Sequence, residues 1–269
     1  MKISWRSSGM PFGERTRLLT GNSGAARLSA AKVCIFGLGG VGAAAAMDLV
    51  RAGVGSIVAI DFDTVSESNL NRLYFGYSGE VGRPKVDVFA DYARRVNPDV
   101  EIESIGTIVR GAEAAGMVPD GCDYYIDCID TLNPKVNLLS ALARRFLPFA
   151  SSMGTAGRLA PERLRFGSLW ETNGCPLAST VRKRLRRLGF GPVGDIHSVN
   201  GSIAQEFLCV WSDEPAVPPA MPSDGSIPGD TVNGIRVRAI QGSGPFVPQA
   251  AGHMLASLAV RGILGIPRT

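Results

Sequence analysis

The sequence predicts an α/β fold: a mostly parallel sheet with helices on both faces. Three observations carry that expectation. Short apolar runs alternate with helical segments between residues 30 and 150, the rhythm of successive βαβ units. Val33 to Phe36 and Ser56 to Ile60 are apolar without alternation, as strands covered on both faces are, whereas Val100 to Ser104 alternates. A glycine-rich turn, "GLGGVG", joins the first run to an alanine-rich helix.

The elements follow in order. Residues 12–30 read as an arm and a first helix. Val33 to Phe36 is a buried strand, Val41 to Ala52 a helix stopped at Gly53, and Ser56 to Ile60 a second strand that delivers Asp61. Lys85 to Val96 is a helix ended by "NPD", Val100 to Ser104 a third strand, "YYIDCID" a fourth, and Pro134 to Phe146 a further helix. Beyond Pro148 the rhythm loosens. Thr180 to Leu188 reads as a basic helix, Pro215 to Asp230 as a long proline-rich loop, and the last apolar tract as a closing helix. Right-handed crossovers place the functional loops at the carboxyl ends of the strands.

Composition narrows the class. The chain has 269 residues, 45% apolar and 19% charged, with a formal net charge of +4. That suits a globular protein and permits a polyanionic partner without requiring one. The five cysteines, Cys34, Cys122, Cys128, Cys175 and Cys209, show no C-x-x-C spacing. A four-thiolate zinc site is therefore not expected, and a reducing compartment suits the odd count. The N-terminus lacks the apolar core of a signal peptide. His253 and Arg261 interrupt the last apolar tract, so it reads as a buried helix rather than a membrane span. The expectation is a cytoplasmic protein with no membrane partner.

Gly37, Gly39 and Gly42 form G-x-G-x-x-G, with Gly40 extra. The motif follows a strand and opens a helix, the context in which glycines admit phosphate to a helix N-terminus. Asp61 at the end of the second strand suits ribose hydroxyls. A turn that merely packs helix on strand is the bland alternative. This half-site fits a dinucleotide or ATP equally.

The continuation separates the two. "DFDTVSESNLNR" adds Asp63, Asn69 and Arg72, and Lys85 follows "GRP". Donors and cations of this kind suit a triphosphate. Asp130, with Asp127 as a second candidate, offers hard oxygen ligands to Mg²⁺, which binds through one or two carboxylates plus phosphate oxygens. Hydride transfer needs no such set, whereas nucleotidyl transfer does. Solvated loop residues, with Asp130 capping the next helix, are the alternative.

These motifs, "GLGGVG", "RAGVG", "DFDTVSESNLNR", "GRPK" and "DCID", resemble the ThiF/MoeB-type adenylyltransferases, bacterial relatives of ubiquitin-activating enzymes. The resemblance implies a single Rossmann-like domain over residues 1–269, its nucleotide-binding half at 30–150 and its substrate and dimer half at 151–269. It implies a homodimer that adenylates a carboxylate with ATP and Mg²⁺. Gly37, Gly39, Gly40, Gly42, Asp61 and Asp63 would hold the nucleotide. Asn69, Arg72 and Lys85 would meet phosphates, and Asp130 the metal. Arg17, in "FGERTRLL", matches an arm arginine that reaches the partner subunit's phosphates. Leu73 stands where glutamine is frequent and Met47 where an acid is frequent.

Within that family, "PFGERTRLL", "CPLASTVRKRLRRLG" and "LCVWSDEPAVPP" resemble the branch that dehydrates threonylcarbamoyladenosine in tRNA. The branch implies a modified tRNA as substrate. Arg182, Lys183, Arg186 and Arg187 are expected to form a cationic face for RNA, with Val181, Leu185 and Leu188 as the apolar face. A solvated basic helix, or a face for an acidic carrier protein, are the competing readings. Cys209 and Cys175 are candidate substrate-site thiols, although a small hydrophobe in a strand also explains Cys209. His197 and His253 have no partner pattern and read as structural. Three rival functions stay open: activation of a ubiquitin-like sulfur carrier protein, an NAD-dependent oxidoreductase, and a non-catalytic scaffold.

Overall fold

The computed structural model describes residues 12–107, 116–192, 203–204, 206–220, 231–232, 235–236 and 241–267. His197 and most of the proline-rich loop lie outside them. The helices are α1 (Glu14–Ala30), α2 (Gly40–Ala52), α3 (Lys85–Val96), α4 (Leu132–Arg144), α5 (Pro176–Arg187) and α6 (Phe246–Leu264). The principal strands are β1 (Lys32–Phe36), β2 (Ser56–Ile60), β3 (Glu101–Ile105), β4 (Tyr124–Asp127), β5 (Phe149–Ser152), β6 (Leu164–Ser168) and β9 (Leu208–Ser212). Two small ladders pair β7 (Phe190–Gly191) with β8 (Ile203–Ala204), and β10 (Thr231–Val232) with β11 (Ile235–Arg236).

The seven-stranded sheet runs β3-β2-β1-β4-β5-β9-β6. All its pairs are parallel except β6 with β9. The strand order reverses between β1 and β4, and such a switch point opens the crevice where open α/β sheets bind ligands.

Strand alternation builds two cores. Val33, Ile35, Ile57 and Ile126 pack with α2, α3 and α6, including Met47, Leu49, Phe89 and Leu255. Cys34, Phe36, Val58 and Tyr125 face α4 and α5 with Leu138, Leu142, Val181 and Leu185. Each fully buried side chain of this size contributes about 1.5–3 kcal/mol. The edge strand β3 is the exception. Its Glu101 is exposed, and Glu103 pairs with Lys32 at 3.2 Å.

Most predicted elements lie where periodicity puts them. β2 and α3 match their predicted bounds. α4 begins two residues before Pro134, because proline is tolerated in a first turn. α5 begins at Pro176, four residues before the predicted Thr180, with proline again in the first turn. Leu188 was assigned to the apolar face of α5, yet it lies past the helix end and is 44% exposed. α1 is broken at Gly21, whose φ of 73° is non-helical. None of the described helices is long and apolar enough to cross a membrane.

Candidate functional site

The site grows from the carboxyl ends of β1, β2 and β4. At the end of β1, Gly37 adopts φ 90°, in the left-handed region that favours glycine. A Cβ on Gly42 would stand 1.8 Å from the Gly37 carbonyl oxygen, so no side chain fits there. Gly39 faces open space, and it and Gly40 lead into α2 without a side-chain cap. The first amide groups of α2 are therefore offered to a ligand rather than to the chain itself.

Asp61 braces this loop. It is 7% exposed, and its carboxylate accepts hydrogen bonds from Leu38 N at 2.5 Å and Asp63 N at 2.8 Å. Burial pushes its carboxyl above the ordinary value, while the Lys85 charge and those two N–H donors pull the other way. The buried Lys85 ammonium lies 3.9 Å from Asp61 and 2.8 Å from Asp63. Lys85, Asp61, Asp63 and the glycine loop thus form one connected unit.

Arg72 approaches from the other side. A Cβ on Gly40 would come within 3.1 Å of Arg72 Cγ, so the arginine stem lies across the start of α2. Its guanidinium donates to the Ser68 carbonyl at 2.8 Å and to Asn71 Oδ1 at 3.0 Å. Asn69 sits in the same turn, where its side-chain oxygen accepts from Ser66 N at 3.4 Å in a capping box.

The loop after β4 closes the floor. A Cβ on Gly37 would meet the Cys128 carbonyl oxygen at 3.1 Å, and one on Gly42 would meet Cys128 Cβ at 3.2 Å. Two residues on, Asp130 is exposed and accepts from Thr131 Oγ1 at 3.2 Å. It does not cap α4. Thr131 holds the N-cap position, with no side-chain cap. Among the described residues no three Cys, His, Asp or Glu side chains gather into a metal cage. Asp130 suits a cation that takes its remaining ligands from phosphate, as Mg²⁺ does.

Asp127 departs from expectation. As a second metal ligand it would need open lone pairs, but it is fully buried. Its Oδ2 accepts from Lys135 Nζ at 2.5 Å and Ser151 Oγ at 2.6 Å, and its Oδ1 from Ile129 N at 3.0 Å. Asp127 therefore shapes the turn that presents Asp130. Sequence reasoning missed Lys135 and Ser151. The one available signal was a lysine inside the apolar face of α4.

The remaining candidates lie elsewhere. Arg17 pairs with Glu14 and donates to Asn22 Oδ1 at 2.5 Å. It lines a cavity of about 660 Å³ with Gly55, Ser56 and Glu101, at the amino ends of β2 and β3. The glycine loop is at the opposite edge of the sheet, so Arg17 does not reach the site of its own chain. Cys209 is buried in β9, and burial pushes its thiol well up. Cys175 is buried at the N-cap of α5. Cys128, placed in a strand from sequence, lies one residue past β4, and burial pushes its thiol up as well.

On α5, Lys183, Arg186 and Arg187 are exposed, and Arg186 stacks over Trp170 at 5.6 Å. Arg182 does not join them. Its guanidinium turns inward to the Leu169 carbonyl at 3.2 Å and the Thr172 carbonyl at 2.5 Å. Arg184, which was not among the expected cations, donates to Asn133 Oδ1 at 3.3 Å. That contact sets the basic helix beside the first turn of α4, three residues from Asp130. His253 also has a partner, Asp48, at 2.6 Å. Their separation in sequence hid the pair.

The sequence profile of the ThiF family matches residues 14–162. The chain belongs to the ThiF family. That span contains every nucleotide-site residue described above. The tRNA threonylcarbamoyladenosine dehydratase of Escherichia coli is 32% identical over 224 residues, 83% of this chain and 79% of the relative. A crystal structure of the E. coli dehydratase TcdA in complex with ATP superposes with a TM-score of 0.78 at 27% identity, covering 98% of this chain and 96% of the other. The molybdopterin-synthase adenylyltransferase of E. coli is 36% identical over 124 residues, 46% of this chain and 49% of the relative. The shared architecture is thus a ThiF-type fold along nearly the whole chain.

Proposed function

We propose that this ThiF-family chain is an ATP-dependent tRNA threonylcarbamoyladenosine dehydratase. The observation that carries the reading is the extent of likeness. Similarity to the dehydratase runs through both halves of the chain, whereas likeness to the molybdopterin-synthase adenylyltransferase covers 46% of it.

Asp61 and the glycine loop hold the adenosine end of ATP. Arg72 and Lys85 neutralise its phosphates, Asn69 donates a hydrogen bond to them, and phosphate displaces Asp63 from the Lys85 ammonium. Asp130 would hold Mg²⁺, which would stabilise the charge that builds on phosphate oxygens. A carboxylate oxygen of the threonylcarbamoyl group attacks the α-phosphorus, and the bond to the β-phosphate breaks with its electron pair on pyrophosphate. An atom of the carbamoyl group then attacks the activated carbonyl carbon and gives up its proton. AMP leaves with the former carboxylate oxygen, and the ring closes with net loss of water. The attacking group is tethered to its target, so its effective concentration is high and no enzyme nucleophile is needed. The high Cys209 thiol agrees with that route.

Lys183, Arg186 and Arg187, with Arg184 at the border of the site, receive the RNA backbone. The chain acts as a homodimer in a reducing, cytoplasmic setting, with Arg17 serving the partner's phosphates.

ATP–pyrophosphate exchange with Mg²⁺ tests the reading. Exchange that requires threonylcarbamoyl-modified tRNA, and is lost in Asp130→Ala, is the expected result. Exchange only with a ubiquitin-like sulfur carrier protein would reassign the acceptor. No exchange with either, in folded protein, would overturn the adenylation mechanism.

A further inference from the structure

The acceptor side of the sheet edge contains a buried cation that forms no salt bridge among the described residues. Arg158, in the loop after β5, is 5% exposed. Its Nε donates to the Glu214 carbonyl at 3.0 Å and its Nη1 to the Ala156 carbonyl at 3.0 Å. Its Nη2 has no hydrogen-bond partner, and Arg158 makes no ion pair among the described residues. The nearby Glu214 carboxylate is directed elsewhere, to Leu159 N at 3.0 Å and Ala160 N at 2.9 Å. A buried guanidinium left in this state carries a desolvation cost that an anionic ligand would relieve.

The surroundings are built for an anion. A Cβ on Gly154 would meet Cys175 Sγ at 3.4 Å, Arg158 Nη1 at 3.6 Å and Leu177 Cβ at 3.7 Å. Arg158 Nη1 and the N-terminus of α5, which has no side-chain cap, therefore flank the same point beside Gly154. The free amide groups of that first turn add positive potential at the same point. Gly154 is the residue that leaves space between the two.

Position decides which anion. Asp61 and Lys85 flank the glycine loop from the β2 side, and Arg72 lies across the start of α2. Arg158 lies beyond β5, two strands from β1, or about 10 Å at ordinary strand spacing. An anion there belongs to the acceptor rather than to ATP.

We propose that Arg158 and the N-terminus of α5 form the subsite for the acceptor's carboxylate, here that of the threonylcarbamoyl group on tRNA. The inference rests on the proposed adenylation of that group. Main-chain carbonyls occupy Nε and Nη1, so Nη2 holds one carboxylate oxygen and leaves the other for the α-phosphorus. The carboxylate reaches Nη2 by movement of the loop around Gly157, which Val217 N holds through the Gly157 carbonyl at 2.7 Å.

Binding of two tRNAs to the full chain tests this: threonylcarbamoyl-modified tRNA, and the same tRNA with that carboxylate converted to a neutral carboxamide. The wild type is expected to prefer the carboxylate about ten-fold or more, the worth of a hydrogen bond to a charged group. Arg158→Gln is expected to lose that preference while keeping its affinity for ATP and for the carboxamide tRNA. If that variant does not fold, Gly154→Ala reads the same ratio, because its methyl fills the space beside the guanidinium at ordinary contact distances. A preference retained in the variant that folds overturns the subsite, as does equal weakening of both tRNAs, which would indicate an RNA phosphate contact. A wild type that exchanges pyrophosphate with modified tRNA yet shows no preference overturns the subsite alone. A wild type with no tRNA-dependent exchange overturns the proposed function, and this inference with it.

Discussion

Lys135 shows what a single residue holds in place. Its ammonium and the Asp127 carboxylate are both fully buried, 2.5 Å apart. Lys135→Met leaves the carboxylate unpaired and is expected to cost about 3–5 kcal/mol in a denaturant titration. Adding Asp127→Asn should recover most of that loss, since Asn can still accept from Ile129 N. Glu214 makes a pH-dependent contribution. Backbone N–H groups of Leu159 and Ala160 hold its carboxyl below the ordinary 4.5. A depressed folded value means stability that is present above 4.5 and lost as pH falls through the folded value. The stability gap between wild type and Glu214→Gln should therefore close on acidification, as thermal melts across that range would report. Sequence made Gly37, Gly42, Asp61 and Lys85 legible because local spacing encodes them. Lys135 with Asp127, Arg158, and His253 with Asp48 were not legible. Each depends on a contact between elements distant in the chain or on burial that composition does not reveal.

At the scale of elements, hydrophobic periodicity located all of α2, α3, β1 and β2 within a residue or so, because both faces of those strands are buried. It failed at α5, where the helix starts early at Pro176 and one cation turns inward. That inward turn sorts the basic residues into two kinds. Lys183→Ala and Arg187→Ala should each weaken modified-tRNA binding and reduce its salt dependence by about one unit of slope. Arg182→Ala should instead lower the melting temperature and leave the slope unchanged, since its guanidinium ties α5 to the Leu169 and Thr172 carbonyls. Salt titrations of the three variants separate these roles. The pairing of α2 with α6 was also hidden. A Cβ on Gly252 would come 2.3 Å from the Val41 carbonyl, so the two helices meet at close range through small residues, which carry little periodic signal.

At the scale of the whole molecule, the position of Arg17 at the far edge of the sheet has a direct test. If Arg17 serves the site of a second copy, an inactive Arg17→Ala chain mixed with an inactive Asp130→Ala chain should regain exchange activity. Random pairing gives one intact site in half of the dimers, so about a quarter of wild-type activity is expected. Continued silence of the mixture, with dimers present by light scattering, would place Arg17 outside the site. The other end of the sheet has its own consequence. Among the described residues β3 ends the seven-stranded sheet with an unpaired row of backbone donors and acceptors, which is the template that fibrils and amorphous aggregates extend. Glu101 and Glu103, the latter shared with Lys32, put carboxylates on that rim, so a second sheet added there would bring carboxylates together. The solubility of this protein in concentrated solution is thus expected to depend in part on two glutamates that lie away from the glycine loop.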